Sequence, residues 1–94
     1  MDKLNANEIE QALSGLPNWE YHENAIHTSL EFENFKDCFA MMTRIAFEVE
    51  KMNHHPNWYN VYNTLTISLS THDADGVTQK DIDLAKAIEQ LITA

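Results

Sequence analysis

The spacing of apolar residues along this chain switches between the helical and the extended period, and the switches mark out its elements. Ile9, Ala12 and Leu13 share one face of a short helix that Asn7 can cap, and Gly15 followed by Pro17 stops it. From Trp19 to Tyr21 and from Ile26 to Phe32 the apolar positions alternate, with Ile26, Leu30 and Phe32 on one side. The polar pair Glu23-Asn24 between them predicts a β-hairpin. Asn34 then opens the longest helical pattern, in which Phe35, Cys38, Phe39, Met42, Ile45, Ala46, Val49 and Met52 recur at three- and four-residue spacing. That stripe reads as the inward face of a core helix. Pro56 disfavours helical geometry at His55, so the helix must release the chain by about residue 53.

Trp58 to Tyr62 and Leu65 to Thr71 read as a second hairpin turning at Asn63, and "HDADG", residues 72–76, as a loop. "TQKD", Thr78 to Asp81, is a capping box ahead of a last helix that buries Ile82, Ala85, Ile88 and Leu91. The order αββαββα predicts an α+β two-layer sandwich, a four-stranded antiparallel sheet with three helices on one face. Phe39, Met42, Ile45, Ile67, Leu69, Ile82 and Ile88 are expected between the layers. The 94 residues make one expected domain, 1–94, with room for a single core.

Charge and cysteine content narrow the function. A formal net charge of -9, with only six Lys and Arg that never cluster, repels phosphate backbones and anionic lipid, so neither nucleic acid nor membrane is an expected partner. The lone Cys38 has no internal disulfide partner, and it falls on the core stripe, where a thiol behaves as a small hydrophobe rather than a nucleophile. "MDKLNANEIE" lacks the apolar run of a signal peptide, and a cytoplasmic setting is expected.

The candidate chemistry lies at the open end of the second hairpin. If Asn63 and Thr64 form a two-residue turn, His55 falls opposite His72; a three-residue turn sets His54 opposite His72 instead. Either register gathers three imidazoles at one mouth, with Glu50 one helical turn before His54. An imidazole titrates near neutrality, so one ring can donate a proton while its neighbour accepts one. Asp81 completes the Thr78 capping box, and its first-turn position beside the His72 loop lets it serve that end too. Adjacent histidines in an extended segment point apart, and neither CxxC nor HExxH occurs, so no metal is expected. Trp58 reads as a core or interface residue; His22 and His27 flank the first turn, exposed and unpartnered. His54 and His72 lie at strand and helix ends, off the apolar stripes, which predicts that replacing either costs little stability.

The run "EKMNHHPNWYNVYNTLTISLSTHDADGVTQKD", Glu50 to Asp81, resembles the signature of the pterin-4a-carbinolamine dehydratases: a polar residue, His-His-Pro, an aromatic, a later His and an Asp opening the last helix. "MMTRIA", residues 41–46, and the element order resemble that family too. The resemblance implies dehydration of 4a-hydroxytetrahydropterin to quinonoid dihydropterin, which recycles the pterin of aromatic amino acid hydroxylases without a cofactor or metal. It makes His54, His55 and His72 the catalytic set, with His54 and His72 as candidate acids and His55 as grip or base. Glu50, Asn53, Trp58, Ser70, Thr71, Asp73 and Asp81 become the substrate-binding candidates. It also implies a homodimer or homotetramer. The competing reading is a non-catalytic module that stabilises a partner protein's dimer, but such a module has no need of convergent imidazoles.

Overall fold

A computed structural model describes residues 2–94. The elements run α1 (Ala6–Leu13), β1 (Glu20–His22), β2 (Ala25–Glu31), α2 (Phe35–Met52), β3 (Asn57–Val61), β4 (Thr64–Leu69), a 3-10 turn (His72–Ala74) and α3 (Gln79–Thr93). All strand pairs are antiparallel, in the order β1-β2-β4-β3. The αββαββα order and the four-stranded sheet are those the periodicity predicts.

Burial alternates strictly along β4, with Leu65, Ile67 and Leu69 sealed and Thr66 and Ser68 on the other side. Ile26 and Thr28 of β2 continue the buried face. Against it lie Cys38, Ile45 and Val49 of α2 and Ile82, Leu84, Ala85 and Ile88 of α3, with Ile9 of α1 closing the same core. The opposite sheet face carries Tyr59 and Val61, both exposed, so helices cover one face only.

Local signals set the element ends. Glu23 and Asn24 both take left-handed backbone, φ 49° and 63°, which makes the two-residue turn that matches strand twist. Asn34 Oδ1 accepts from the Asp37 amide and starts α2. At its far end Asn53 turns left-handed at φ 51°, and the His54 amide donates back to the Val49 carbonyl, a Schellman-type closure. Thr78 and Asp81 form the predicted capping box of α3.

Three expectations are corrected. The cap of α1 is Asn5, in a reciprocal box with Glu8, and Asn7 lies inside the helix. Phe39 is 53 % exposed and Met42 only half-buried, because the apolar stripe of α2 is wider than the arc the sheet can cover. Phe35 and Phe39 instead stack outside at 5.5 Å between ring centroids, with Phe47 also outward and 71 % exposed. The second hairpin turns at Tyr62-Asn63, so Val61 faces Thr64 and Asn57 faces Ser68, a register different from both expected ones. The cause is local. The Asn60 amide donates to the carbonyls of Tyr62 and Thr64 and closes the turn around Tyr62, at φ 51°. Asn63 is held by the end of β2, donating from its amide side chain to the Phe32 carbonyl and accepting the Phe32 N–H at its own carbonyl.

Candidate active site

The shifted register does not scatter the histidines. The ladder of β3 begins at Asn57, so His54 and His55 precede it, as the segment that leaves the left-handed end of α2. Beyond β4, an isolated bridge between Thr71 and Gly76 pins both ends of a loop, and His72 opens the 3-10 turn inside it. The three rings therefore meet across the space between a helix end and a loop rather than as cross-strand neighbours. Asn53, His54, His55, Ser70, Thr71, His72, Asp73 and Lys80 line a cavity of about 380 Å³.

His54 is the anchored member, 9 % exposed. Its Nε2 lies 2.5 Å from Oδ1 of Asp81, a residue with no exposed surface. The other carboxylate oxygen accepts from the Thr78 amide at 2.8 Å and from the Thr71 hydroxyl at 2.9 Å. Because a carboxylate only accepts, Nε2 of His54 is the donor and Nδ1 is left for other partners. Asp81 thus has two contacts: it is half of the capping box, and it holds the imidazole of His54 rather than reaching His72. A buried carboxylate needs this much hydrogen bonding, since an unpaired one in the interior is very costly.

His55 is exposed, and its Nε2 lies 2.8 Å from Oε2 of Glu50, also exposed. Glu50 therefore holds His55, not His54. The remaining histidine–carboxylate contact among the described residues joins His22 to Glu23, so His72 has none and its ring faces solvent beside the cavity.

Of the ten sequence-derived site residues, Asn53, His54, His55, Ser70, Thr71, His72 and Asp73 line the cavity. Asp81 and Glu50 stand behind His54 and His55. Trp58 is half-buried and packs against the hydrophobic core, outside the cavity lining. Lys80 was missed: nothing in its sequence context separates it from a solvated helix lysine, and only the docking of α3 beside the His72 loop brings it to the cavity. His27 was misjudged. It is half-buried, with Nδ1 2.7 Å from Ser68 Oγ across the β2–β4 ladder and Nε2 donating to the His22 carbonyl at 2.9 Å. Among the described residues, no three of His, Cys, Asp and Glu are grouped so as to hold a metal ion.

Cys38 is fully buried, and that burial raises its thiol above its ordinary pKa. Its sulfur accepts from the Asn60 amide at 3.3 Å, so it packs against the hairpin as an inert core residue. Among the described residues, no helix is long and apolar enough to cross a membrane.

Comparison with known proteins places the chain in a family. Residues 2–91 match the pterin 4 alpha carbinolamine dehydratase family. A protein of Christiangramia forsetii provisionally named pterin-4-alpha-carbinolamine dehydratase is 59 % identical over 98 % of this chain and 95 % of its own length. One of Burkholderia vietnamiensis with the same provisional name is 47 % identical over 95 % of this chain and 89 % of its own. A crystal structure described as a transcriptional coactivator/pterin dehydratase from Brucella melitensis superposes with a TM-score of 0.93 at 35 % identity, covering 96 % of this chain and 98 % of that one. A pterin dehydratase-like protein described as a RuBisCO assembly factor of the alpha-carboxysome shares the fold, with a TM-score of 0.65 at 15 % identity over 78 % of this chain and 84 % of its own. With a match across nearly its whole length and relatives this similar, the chain belongs to the pterin 4 alpha carbinolamine dehydratase family.

Proposed function

We propose that this protein dehydrates 4a-hydroxytetrahydropterin to quinonoid dihydropterin plus water by histidine acid–base catalysis. The observation that carries the reading is the cavity that gathers His54, His55 and His72, one of them oriented by a buried carboxylate. The reaction needs one proton delivered to the departing 4a-hydroxyl and one removed from N5 as the C4a=N5 bond forms. An imidazolium supplies the first and a neutral imidazole takes the second, each contributing on the order of 10²–10⁴ in rate.

His54 and His72 are the candidate acids. His54 is held at Nε2 by Asp81, so its Nδ1 is the nitrogen that exchanges protons with substrate, and the carboxylate balances the ring when charged. His72, on the opposite wall, approaches the pterin from a second side. His55, its Nε2 held by Glu50, grips the pterin or accepts the N5 proton. Asn53, Ser70, Thr71 and Asp73 offer polar groups for the amide and amino edge of the ring. No cofactor enters the scheme.

The protein works as a homodimer or homotetramer in this reading. Phe35, Phe39 and Phe47 are large apolar side chains left exposed on α2, which supports self-association. A cytoplasmic role in recycling the pterin of an aromatic amino acid hydroxylase fits the chemistry. The deciding experiment is stopped-flow decay of enzymatically generated 4a-hydroxytetrahydropterin with and without the protein. Faster loss of the hydroxylated species is expected; an unchanged rate would refute the proposal and favour the binding-module alternative.

A further inference from the structure

Two histidines of the cavity are held through their rings, His54 by Asp81 and His55 by Glu50. Among the described residues no ion pair holds the ring of His72, so its place is set by the backbone of its loop. Inside that loop the Ala74 N–H donates to the Thr71 carbonyl and the Asp75 N–H to the His72 carbonyl, each at 3.1 Å. At its base the Thr71 N–H donates to the Gly76 carbonyl at 2.8 Å.

The base of the loop is braced from far along the chain. The Leu4 N–H donates to the Val77 carbonyl at 2.7 Å, and the side chain of Lys3 lies against Gly76. A β-carbon at Gly76 would come 3.1 Å from Cδ and 3.5 Å from Cβ of Lys3. Gly76 does not take positive φ, so this close approach, and not the backbone, is what uses a glycine there. Leu4 is fixed in turn by α1. It precedes the cap residue Asn5, whose reciprocal box with Glu8 sets the direction of the chain, and its side chain packs against the core that contains Ile9. These are the two positions of a hydrophobic staple. Residues 3–4 thus form a strap from α1 to the His72 loop. His54 is held elsewhere, by the Val49 carbonyl at its amide and by Asp81 at its ring.

We propose that Lys3 and Leu4 are positioning residues for His72, bracing the loop that keeps its ring on the cavity wall. The proposal rests on the dehydratase reading, because the place of that ring matters only if it exchanges a proton with substrate. A ring free at its side chain and carried on a loosened loop spends less time at the distance proton transfer needs, which lowers turnover more than binding.

The test is a double-mutant cycle on the full chain, with 4a-hydroxytetrahydropterin turnover and urea unfolding measured for each protein. Leu4→Pro removes the N–H and keeps an apolar side chain; it should lower kcat about tenfold and change KM by less than about twofold. In a His72→Ala background the same substitution should cause no further loss, because a positioning residue acts only through the ring it positions. Leu4→Ala keeps the N–H and should hold kcat within about twofold of wild type, although it loses packing and stability. Lys3→Ala should lower kcat about threefold, and Lys3→Arg, whose methylene stem can still cover Gly76, should restore it. Amide hydrogen exchange at Asp75 should speed up about tenfold in Leu4→Pro while that at His54 stays unchanged. If Leu4→Pro does not fold, Lys3→Ala carries the same cycle and the same exchange measurement. An equal further loss in the His72→Ala background, or wild-type kcat in both Leu4→Pro and Lys3→Ala, overturns the proposal. Failure of the dehydratase reading would look different: the wild-type protein accelerates no 4a-hydroxy compound, while exchange at Asp75 still responds to the strap.

Discussion

Replacing Asp81 separates the two jobs that one buried carboxylate performs. In Asp81→Ala the Thr78 amide and the His54 Nε2–H lose their acceptor, while the Thr71 hydroxyl keeps Thr78 Oγ1 at 2.7 Å. Two buried donors without partners cost roughly 1–3 kcal/mol each. The lost capping box is counted within the first of these, so about 3–4 kcal/mol of destabilisation is expected. For a domain of this size that is a fall in Tm of roughly 15–30 °C. Asp81→Asn keeps the shape. Its amide oxygen can replace Oδ2 and accept from Thr78 and Thr71, which turns the NH₂ group toward His54. Two donors would then face each other, so the neutral ring must move its hydrogen from Nε2 to Nδ1 and accept at Nε2. Stability should drop by only about 1 kcal/mol, the net worth of an ordinary hydrogen bond. Dehydratase turnover should fall by roughly 10²-fold or more, because a neutral amide no longer balances the imidazolium that donates its proton from Nδ1. Urea unfolding measures the first effect, and imidazole ¹⁵N chemical shifts report the tautomer directly. An Asp81→Ala variant within about 0.5 kcal/mol of wild type would refute the network as a stabilising unit. An Asp81→Asn protein with Nε2 still protonated in the neutral ring would refute the orienting role.

Other outcomes follow from the same geometry. His72→Ala should slow dehydration by roughly 10²-fold with little loss of stability, since the ring is exposed, whereas His54→Ala should slow it as much and also cost about 1–3 kcal/mol by leaving Asp81 underbonded; paired rate and urea measurements check both. That contrast replaces the sequence-based expectation that His54 and His72 are both cheap to remove. Phe39→Glu combined with Phe47→Glu should shift the light-scattering mass toward the 10.8 kDa monomer, and an unchanged oligomer would exclude the outer face of α2 as the contact. Cys38 should resist a thiol reagent until the protein opens, and its raised pKa should make stability fall as pH rises through the thiol's unfolded-state value, since only the unfolded chain then releases the proton. Labelling at the rate of a free thiol in native buffer would contradict this burial.

The sequence alone determined the element order, the sheet's buried face and the set of histidines. Period, capping residues and turn formers act over a few neighbours, so Asn34, Glu23-Asn24 and the Thr78–Asp81 box could be read directly. The predicted cap at Asn7 failed within the same range, because Asn5 with Glu8 makes a better reciprocal pair two residues earlier. The wide stripe of α2 could not say which of its apolar residues the sheet would cover, and Phe39 was placed inside when it stacks outside on Phe35. The register of the second hairpin was also out of reach. It depends on Asn63 bonding Phe32, a contact across 31 positions of chain that no local pattern records. For the same reason only the folded chain decided that Asp81 reaches His54 across 27 positions, that Glu50 serves His55, and that Lys80 joins the cavity. Residue types fix which chemistry is possible, but the partner of each group is set by where helix ends and strand ends meet once the core is packed.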